Sequence, residues 1–193
     1  MLLDLKEMTI ASFLRPASAA RDLIGLGLDR KSIVALLALS VVLTVISLFV
    51  GTPGGLEGYQ SAGVPTSPLL FAVIVFLAAV GSVIGINLAG RMLGGAGNLD
   101  HIALVLAWTQ WLQFILQLSL SVLAYVMAPL AALLQLPLFL VSIWIFLRML
   151  GQVFGADSVW RMAVIALLGN FVGAFIVAIP IFIIVIMFGA AAT

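Results

Sequence analysis

Long runs of apolar residues, separated by short polar stretches, dominate this sequence. Four of them approach or exceed the roughly 20 residues that a helix needs to cross the bilayer core: residues 33–50, 69–89, 102–150 and 162–188. The third run contains about 49 residues and no charge before Arg148. As one straight helix it would measure roughly 73 Å, more than twice the thickness of the hydrocarbon core. The pattern therefore predicts that this run folds back once.

Two prolines within the third run mark candidate turns. A turn at Pro137 would leave about 13 residues for the second helix, too few to span the core. A turn near Met127 leaves two helices of adequate length and puts Pro129 in the first turn of the second helix, where its missing N–H costs little. We therefore predict an all-α membrane protein, a bundle of five transmembrane helices at about 33–50, 69–89, 102–126, 130–150 and 162–188.

The composition favours lipid, rather than water, as the solvent of this chain. Of its 193 residues, 65% are hydrophobic and 8% are charged, whereas about 25% are charged in a typical soluble domain. A water-soluble fold of this size would leave too much apolar surface exposed. The sequence has no cysteine, which excludes a disulfide framework, a thiolate nucleophile and a cysteine metal cluster.

All eight lysines and arginines fall on one side of the membrane if the chain crosses it five times. Because basic residues concentrate in cytoplasmic segments, this distribution predicts a cytoplasmic N-terminus and a C-terminus outside. We expect a cytoplasmic N-terminal segment, residues 1–31, with short helices on either side of Pro16, and a transmembrane domain, residues 32–189. The basic residues are Lys6, Arg15, Arg21, Arg30, Lys31, Arg91, Arg148 and Arg161.

Ionisable groups are absent from the interiors of the predicted spans. Intramembrane carboxylates are typical of proton and ion pathways, so their absence argues against an ion-coupled pump and against a hydrolase within the bilayer. The single histidine, His101, follows Asp100 in a loop that supplies no further metal ligand or catalytic partner. We therefore expect no enzyme activity, no cofactor, no metal and no nucleic-acid partner.

Uncharged polar residues form a stripe on the third predicted span. Their spacing places them within an arc of roughly 80°, at about 100° per residue. Because amides that face lipid are costly, the stripe should face the interior of the bundle. There it makes interhelical hydrogen bonds, worth about 0.6–2 kcal/mol each, or it forms a polar groove for a lipid headgroup or a small solute. The candidate groove residues are Gln110, Gln113, Gln117 and Ser121, with Asn87 of the second span.

Two further patterns predict contacts between helices. Small residues at helical spacing let two helix backbones approach closely, and we expect them to serve packing. They are Gly81, Gly85 and Ala89 on the second span, and Gly169 and Gly173 on the fifth. The first span carries Ser40, Thr44 and Ser47 on one face, which offers a partner surface for polar groups of a neighbouring helix.

Three arginines lie where the predicted spans meet the cytoplasm, and we expect them to contact lipid headgroups. They are Arg91, Arg148 and Arg161. Arg91 precedes a glycine-rich turn at residues 94–97, which lacks the Gly-Lys-Ser/Thr ending of a phosphate-binding P-loop. A sharp turn at the level of the headgroups is sufficient explanation for its glycines.

The order of several short segments resembles the prokaryotic branch of the Yip family, whose eukaryotic members bind Ypt/Rab GTPases. The resemblance covers nearly the whole chain and implies five spans with a cytoplasmic N-terminus. This chain lacks the Asp-Leu-Tyr-Gly-Pro motif of the eukaryotic members, so we do not expect Rab binding, and its compact form implies a bacterial inner membrane. The segments are Phe13-Leu14-Arg15-Pro16, Arg30-Lys31, Gly90-Arg91, Leu93-Gly94-Gly95-Ala96-Gly97, Ala103-Leu104, Ala107-Trp108, Gln110 and Gln113.

Two functional hypotheses follow from these patterns. The first is a non-enzymatic scaffold that organises the membrane or serves trafficking, either as a homo-oligomer or with other membrane proteins. It is motivated by the absence of titratable groups inside the spans and by the small-residue ridges. The alternative is a conduit for a lipid or a small solute that uses the polar groove of the third span.

Overall fold

The computed structural model describes residues 5–51, 67–95 and 97–189, and the side chains of residues 5–47, 67–95 and 97–179. This part of the chain is helical and contains no strand, which confirms the all-α prediction. Four of the helices, α3 to α6, are long and apolar enough to cross a membrane. The helices are α1 (Leu5–Leu14), α2 (Pro16–Gly25), α3 (Arg30–Gly51), α4 (Pro68–Met92), α5 (Leu99–Phe154) and α6 (Val159–Gly189).

The two short N-terminal helices pack against one end of the bundle. Pro16 begins α2, where its fixed φ suits the first helical position. Ser12 of α1 is fully buried; its hydroxyl donates to the Met8 carbonyl (2.8 Å) and accepts a hydrogen bond from the Trp108 indole N–H (2.9 Å). This buried contact ties α1 to α5. The surrounding core consists of Met8, Ala20, Leu23, Ile33, Leu104, Val105, Leu112, Ile145 and Met149.

Asp29 directly precedes α3 at the same end of the molecule. The Ser32 hydroxyl donates a hydrogen bond to the Asp29 carboxylate, and this bond lowers the pKa of that carboxyl from its usual value. Arg30, the next residue, forms an exposed ion pair with Asp100 at the start of α5 (3.8 Å between Nε and Oδ1). Because both side chains are in contact with solvent, the pair adds little stability, but it shows that α3 and α5 start at the same level.

The 56-residue helix α5 is a hairpin of two arms. As a straight helix it would be roughly 84 Å long, but its backbone is non-helical at Met127 (φ −154°, ψ 70°). Ile102 and Leu150, which are equally far along the chain from Val126, lie in one buried cluster. The arms, residues 99–126 and 128–154, therefore run antiparallel from a turn at Met127. The turn lies in the segment that span length favours, whereas Pro137 stays inside the second arm.

The largest helix–helix contact in the described part of the chain joins α4 and α6. A Cβ atom on Gly81 would lie 2.7 Å from the Gly173 carbonyl oxygen, and one on Gly85 would lie 2.7 Å from the Gly173 nitrogen. A Cβ on Gly169 would lie 2.5 Å from the Ile86 Cα atom. The two backbones are thus in direct contact, as small residues permit in membrane helices. Ala89, the other small residue of the α4 ridge, is buried in the neighbouring cluster.

Candidate polar cavity

A cavity of about 630 Å³ lies between α3 and the two arms of the α5 hairpin. Its polar lining comes from all three segments and consists of Thr44, Ser47, Gln113, Gln117, Gln135 and Ser142. The remaining lining is apolar and includes Phe114, Leu120, Leu136 and Phe139. A volume of this size is within the range of roughly 300–1,000 Å³ that is common for small-molecule sites. We call it the polar cavity.

The register of the hairpin explains how glutamines from distant parts of the sequence meet in this cavity. Gln117 and Gln135 are equally far along the chain from Val126, so the fold-back at Met127 brings them to the same level. Nearer the turn, Ser121 and Ala131 occupy equivalent positions and are buried. At the base of the hairpin, which is the end opposite the Met127 turn, the two arms share buried clusters. The polar cavity is therefore the stretch between two zones of close packing.

The hydroxyl groups of the cavity use their protons within their own helices. Thr44 donates to the Ser40 carbonyl (2.9 Å), Ser47 to the Thr44 carbonyl (2.8 Å) and Ser142 to the Leu138 carbonyl (2.9 Å). A hydroxyl that donates in this way still has a lone pair with which it can accept a hydrogen bond. The three hydroxyls therefore offer acceptors to whatever occupies the polar cavity.

The three cavity glutamines have no hydrogen-bonding partner for their side-chain amides in the described part of the chain. Among the described residues, the side chains of Gln113, Gln117 and Gln135 make no hydrogen bond, and all three are exposed. An amide without a partner in hydrocarbon costs several kcal/mol, on the order of the loss of its hydration. In a bilayer, these amides thus require a polar hydrogen-bonding partner in the cavity, such as water, a lipid headgroup or a solute.

The stripe predicted on the third span divides into two kinds of residue. Gln110 accepts a hydrogen bond at Oε1 from the Ser40 hydroxyl (2.6 Å) and so ties α5 to α3. Ser121 is buried and donates to the Gln117 carbonyl (2.9 Å). Gln113 and Gln117 face the polar cavity instead. The stripe is therefore divided between a hydrogen bond to α3 at Gln110 and the lining of the polar cavity at Gln113 and Gln117, and Thr44 and Ser47 of the predicted α3 face also line the cavity.

Asn87, the fifth candidate groove residue, does not line the polar cavity. It is buried on α4, and its Oδ1 atom has no hydrogen-bonding partner within the described ranges. The indole N–H of Trp111 shares this property, while its ring stacks on Phe114 with 5.9 Å between the ring centroids. Phe114 thus connects a partly buried tryptophan with the cavity wall.

The three predicted headgroup arginines lie at the base of the hairpin, away from the polar cavity. Arg91 is exposed at the last turn of α4. The Arg148 guanidinium lies 5.8 Å from the centroid of the Trp144 ring, and Arg161 donates from Nη2 to the Leu93 carbonyl. Two of the three therefore have contacts within the protein, and all three remain exposed.

The glycine-rich turn after α4 receives an aromatic side chain that sequence analysis did not identify. The ring of Phe154 fills a socket formed by three glycines: a Cβ atom would lie 2.8 Å from the ring at Gly95, and closer still at Gly90 and at Gly97. The amide of Gly95 also donates to the Gly90 carbonyl (2.8 Å). These glycines are thus required by close approach as well as by the turn.

The chemistry available in the polar cavity is hydrogen bonding without charge. Its described lining contains no Asp, Glu, Lys, Arg or His. No group of three or more His, Cys, Asp or Glu side chains in the described ranges could hold a metal ion. Gln135 is absent from the predicted groove residues because it belongs to another predicted span. The position of the turn is the signal that would have found it, since the turn pairs Gln135 with Gln117.

No protein-family model matches the chain, and no curated protein or solved structure is significantly similar to it.

Proposed function

We propose that this protein is an integral membrane protein with five crossings that acts as a conduit for a lipid or a small polar solute. The observation that carries this proposal is the polar cavity, with its three unpartnered glutamines at the depth of the transmembrane helices. Such amides require a polar occupant in the bilayer. The described lining contains no charged side chain, so it makes no ion pair that would hold an occupant in place. An uncharged occupant that enters from one leaflet can therefore leave again.

The scaffold hypothesis has less support from the described contacts. One reason for that hypothesis was the two ridges of small residues, which could have packed against helices of a partner protein. Gly81 and Gly85 instead pack against Gly173 and Gly169 of the same chain. This internal use removes the ridges as a docking surface.

Removing two of the three cavity amides should abolish flux. We expect liposomes that contain the protein to take up glycerol, or to exchange a fluorescent lipid between leaflets, faster than protein-free liposomes. The double variant Gln113→Leu/Gln117→Leu should return both rates to the protein-free level, since it removes two of the three cavity amides and puts apolar side chains in their place, so that a polar occupant loses those hydrogen bonds. Stopped-flow light scattering and dithionite quenching measure the two rates.

The matched control for this experiment is Gln152→Leu. Gln152 lies on the same hairpin but borders a separate small pocket near the base, so its replacement should leave flux unchanged. The proposal would be wrong if the wild-type protein gave neither rate above that of empty liposomes, or if the double variant, folded and inserted, kept the wild-type rate.

The proposed topology puts the N-terminus in the cytoplasm and the Met127 turn outside. It is supported by the gathering of basic residues at the base of the hairpin, because basic residues favour the cytoplasmic side. The ion pair of Arg30, the contacts of Arg148 and the hydrogen bond of Arg161 all lie at that end. The order of short motifs supports, as part of this proposal, the prokaryotic branch of the Yip family and a non-enzymatic role in a bacterial inner membrane.

Labelling of single cysteines tests this topology without interference, because the chain has none of its own. We expect Met127→Cys to react with an impermeant maleimide in intact cells. Met92→Cys and Trp160→Cys, both at highly exposed positions at the other end, should react only after the cells are permeabilised. A five-crossing topology is excluded if Met127→Cys and Met92→Cys react from the same side.

A further inference from the structure

We infer that the polar cavity selects uncharged amphiphiles with hydroxyl groups, of which a monoacylglycerol is the simplest, over charged lipids. This inference rests on the proposed function and names the ligand class of the same site. It follows from three properties of the lining: which hydrogen bonds it can make, which charges it lacks, and where its apolar residues lie.

The hydrogen-bonding inventory of the polar cavity calls for a ligand that both donates and accepts. The hydroxyls of Thr44, Ser47 and Ser142 have given their protons to carbonyls of their own helices and can only accept. Each cavity glutamine offers two N–H donors and one carbonyl acceptor. Ester carbonyls only accept and ammonium groups only donate. A hydroxyl group does both, so a ligand with two neighbouring hydroxyls matches the lining best.

The absence of charge in the described lining argues against a phosphate-bearing headgroup. The residues around the polar cavity include no cation that could pair with a phosphate. The arginines lie at the base of the hairpin, where Arg161 and Arg148 have contacts of their own. An unpaired charge at this depth would keep most of its desolvation cost, while an uncharged hydroxyl recovers that cost through hydrogen bonds.

The apolar residues of the cavity are placed to receive an acyl chain from the side. Leu136 and Phe139 line the polar cavity and yet are 65% and 57% exposed, respectively, so the cavity is continuous with the lipid-facing surface of the second arm. Phe114 lines the cavity from the first arm and is supported by the stacked Trp111 ring. A headgroup can thus occupy the amide-lined part while its chain stays in the bilayer.

Binding of radiolabelled monooleoylglycerol to the full chain tests this selectivity. The protein is placed in phosphatidylcholine nanodiscs, since sugar detergents carry the hydroxyl groups under test, and binding to empty nanodiscs is subtracted. We expect saturable binding that methyl oleate and lyso-phosphatidylglycerol compete for at least about tenfold more weakly than unlabelled monooleoylglycerol, the effect of about 1.4 kcal/mol in hydrogen bonding. Methyl oleate lacks the hydroxyls, and lyso-phosphatidylglycerol adds a charge.

Two variants connect the binding to the lining. Gln113→Leu/Gln117→Leu should weaken binding at least about tenfold, with Gln152→Leu as the unaffected control. Thr44→Val, close in shape to the residue it replaces, removes one acceptor and should weaken binding about threefold while the fold is kept. If the double variant fails to fold, the affinity of Thr44→Val tests the inference by itself.

The outcomes separate this inference from the proposed function. If lyso-phosphatidylglycerol or methyl oleate competes as well as monooleoylglycerol while flux is present, the selectivity is wrong and the conduit stands. Wild-type affinity in both Thr44→Val and the double variant would also overturn the inference, because the ligand would then bind elsewhere. If flux is absent as well as saturable binding, the proposed function itself fails.

Discussion

Replacing Gly169 with leucine is expected to prevent α4 and α6 from packing and to abolish the folded bundle. A Cβ atom at this position would meet the Ile86 backbone, 2.5 Å from Cα and 2.6 Å from N, and a backbone cannot move aside as a side chain can. The helices would have to separate along the largest contact of the fold. Overpacking of this kind costs about 3 kcal/mol or more, which is a large fraction of the stability of a typical domain.

Size-exclusion chromatography of the detergent-solubilised protein after heating measures this effect. The variant should lose its monodisperse peak at a temperature at which the wild type keeps it. Ala174→Leu is the matched control: it adds apolar volume to the same helix, but at an exposed position. Equal thermal survival of Gly169→Leu and the wild type would contradict the observed helix crossing.

Replacing Phe154 with alanine is expected to lower the free energy of unfolding by about 2–3 kcal/mol. The ring fills the socket of Gly90, Gly95 and Gly97, and no side chain of these glycines can move in to replace it. The van der Waals contacts between the end of α5 and the turn that precedes it are therefore lost, and no other group replaces them. For a chain of this size the melting temperature should fall by about 4–12 °C.

Thermal unfolding of purified protein, followed by circular dichroism, checks this value. The control is Phe171→Ala, which removes the same ring from a position on α6 that is 65% exposed. Its melting temperature should stay close to that of the wild type. A loss at Phe171 as large as that at Phe154 would mean that the glycine socket contributes nothing specific.

Sequence reasoning reached the helices because their causes are local. Span lengths, the proline at the start of α2 and the excess length of the run at 102–150 determined where helices begin, end and fold back. Pro129 illustrates the point: it follows the non-helical Met127 by two residues, as a proline in the first turn of a helix should. These features depend on a few neighbouring residues and on the thickness of the bilayer.

The set of residues that lines the cavity could not be predicted in the same way, because it depends on which helices are in contact and through which faces. Gln110 and Gln113 share one helical face, but α3 supplies a hydroxyl to the first and leaves space beside the second. Asn87 has the same chemistry and is buried on α4, away from the cavity. The rotation of each helix about its axis, set by packing along its whole length, decides these outcomes.

The small-residue positions show an intermediate case. Their spacing predicts a helix contact but not its partner, and the match of Gly81 with Gly173 emerges only from the tertiary structure. The Phe154 socket had no sequence signal beyond a cluster of glycines, which any tight turn explains equally well. A socket of this kind becomes visible only when the side chain that fills it is known.

The charge-free lining of the polar cavity has a consequence for how the membrane's electrical state acts on this protein. A potential of 100 mV changes the free energy of moving one elementary charge across the bilayer by about 2.3 kcal/mol. Neither the described cavity walls nor an uncharged occupant carries a charge on which this field could act. Under the proposed conduit function, passage through the cavity would be electroneutral: we expect its direction to follow the concentration gradient alone and its rate to be the same with and without a membrane voltage.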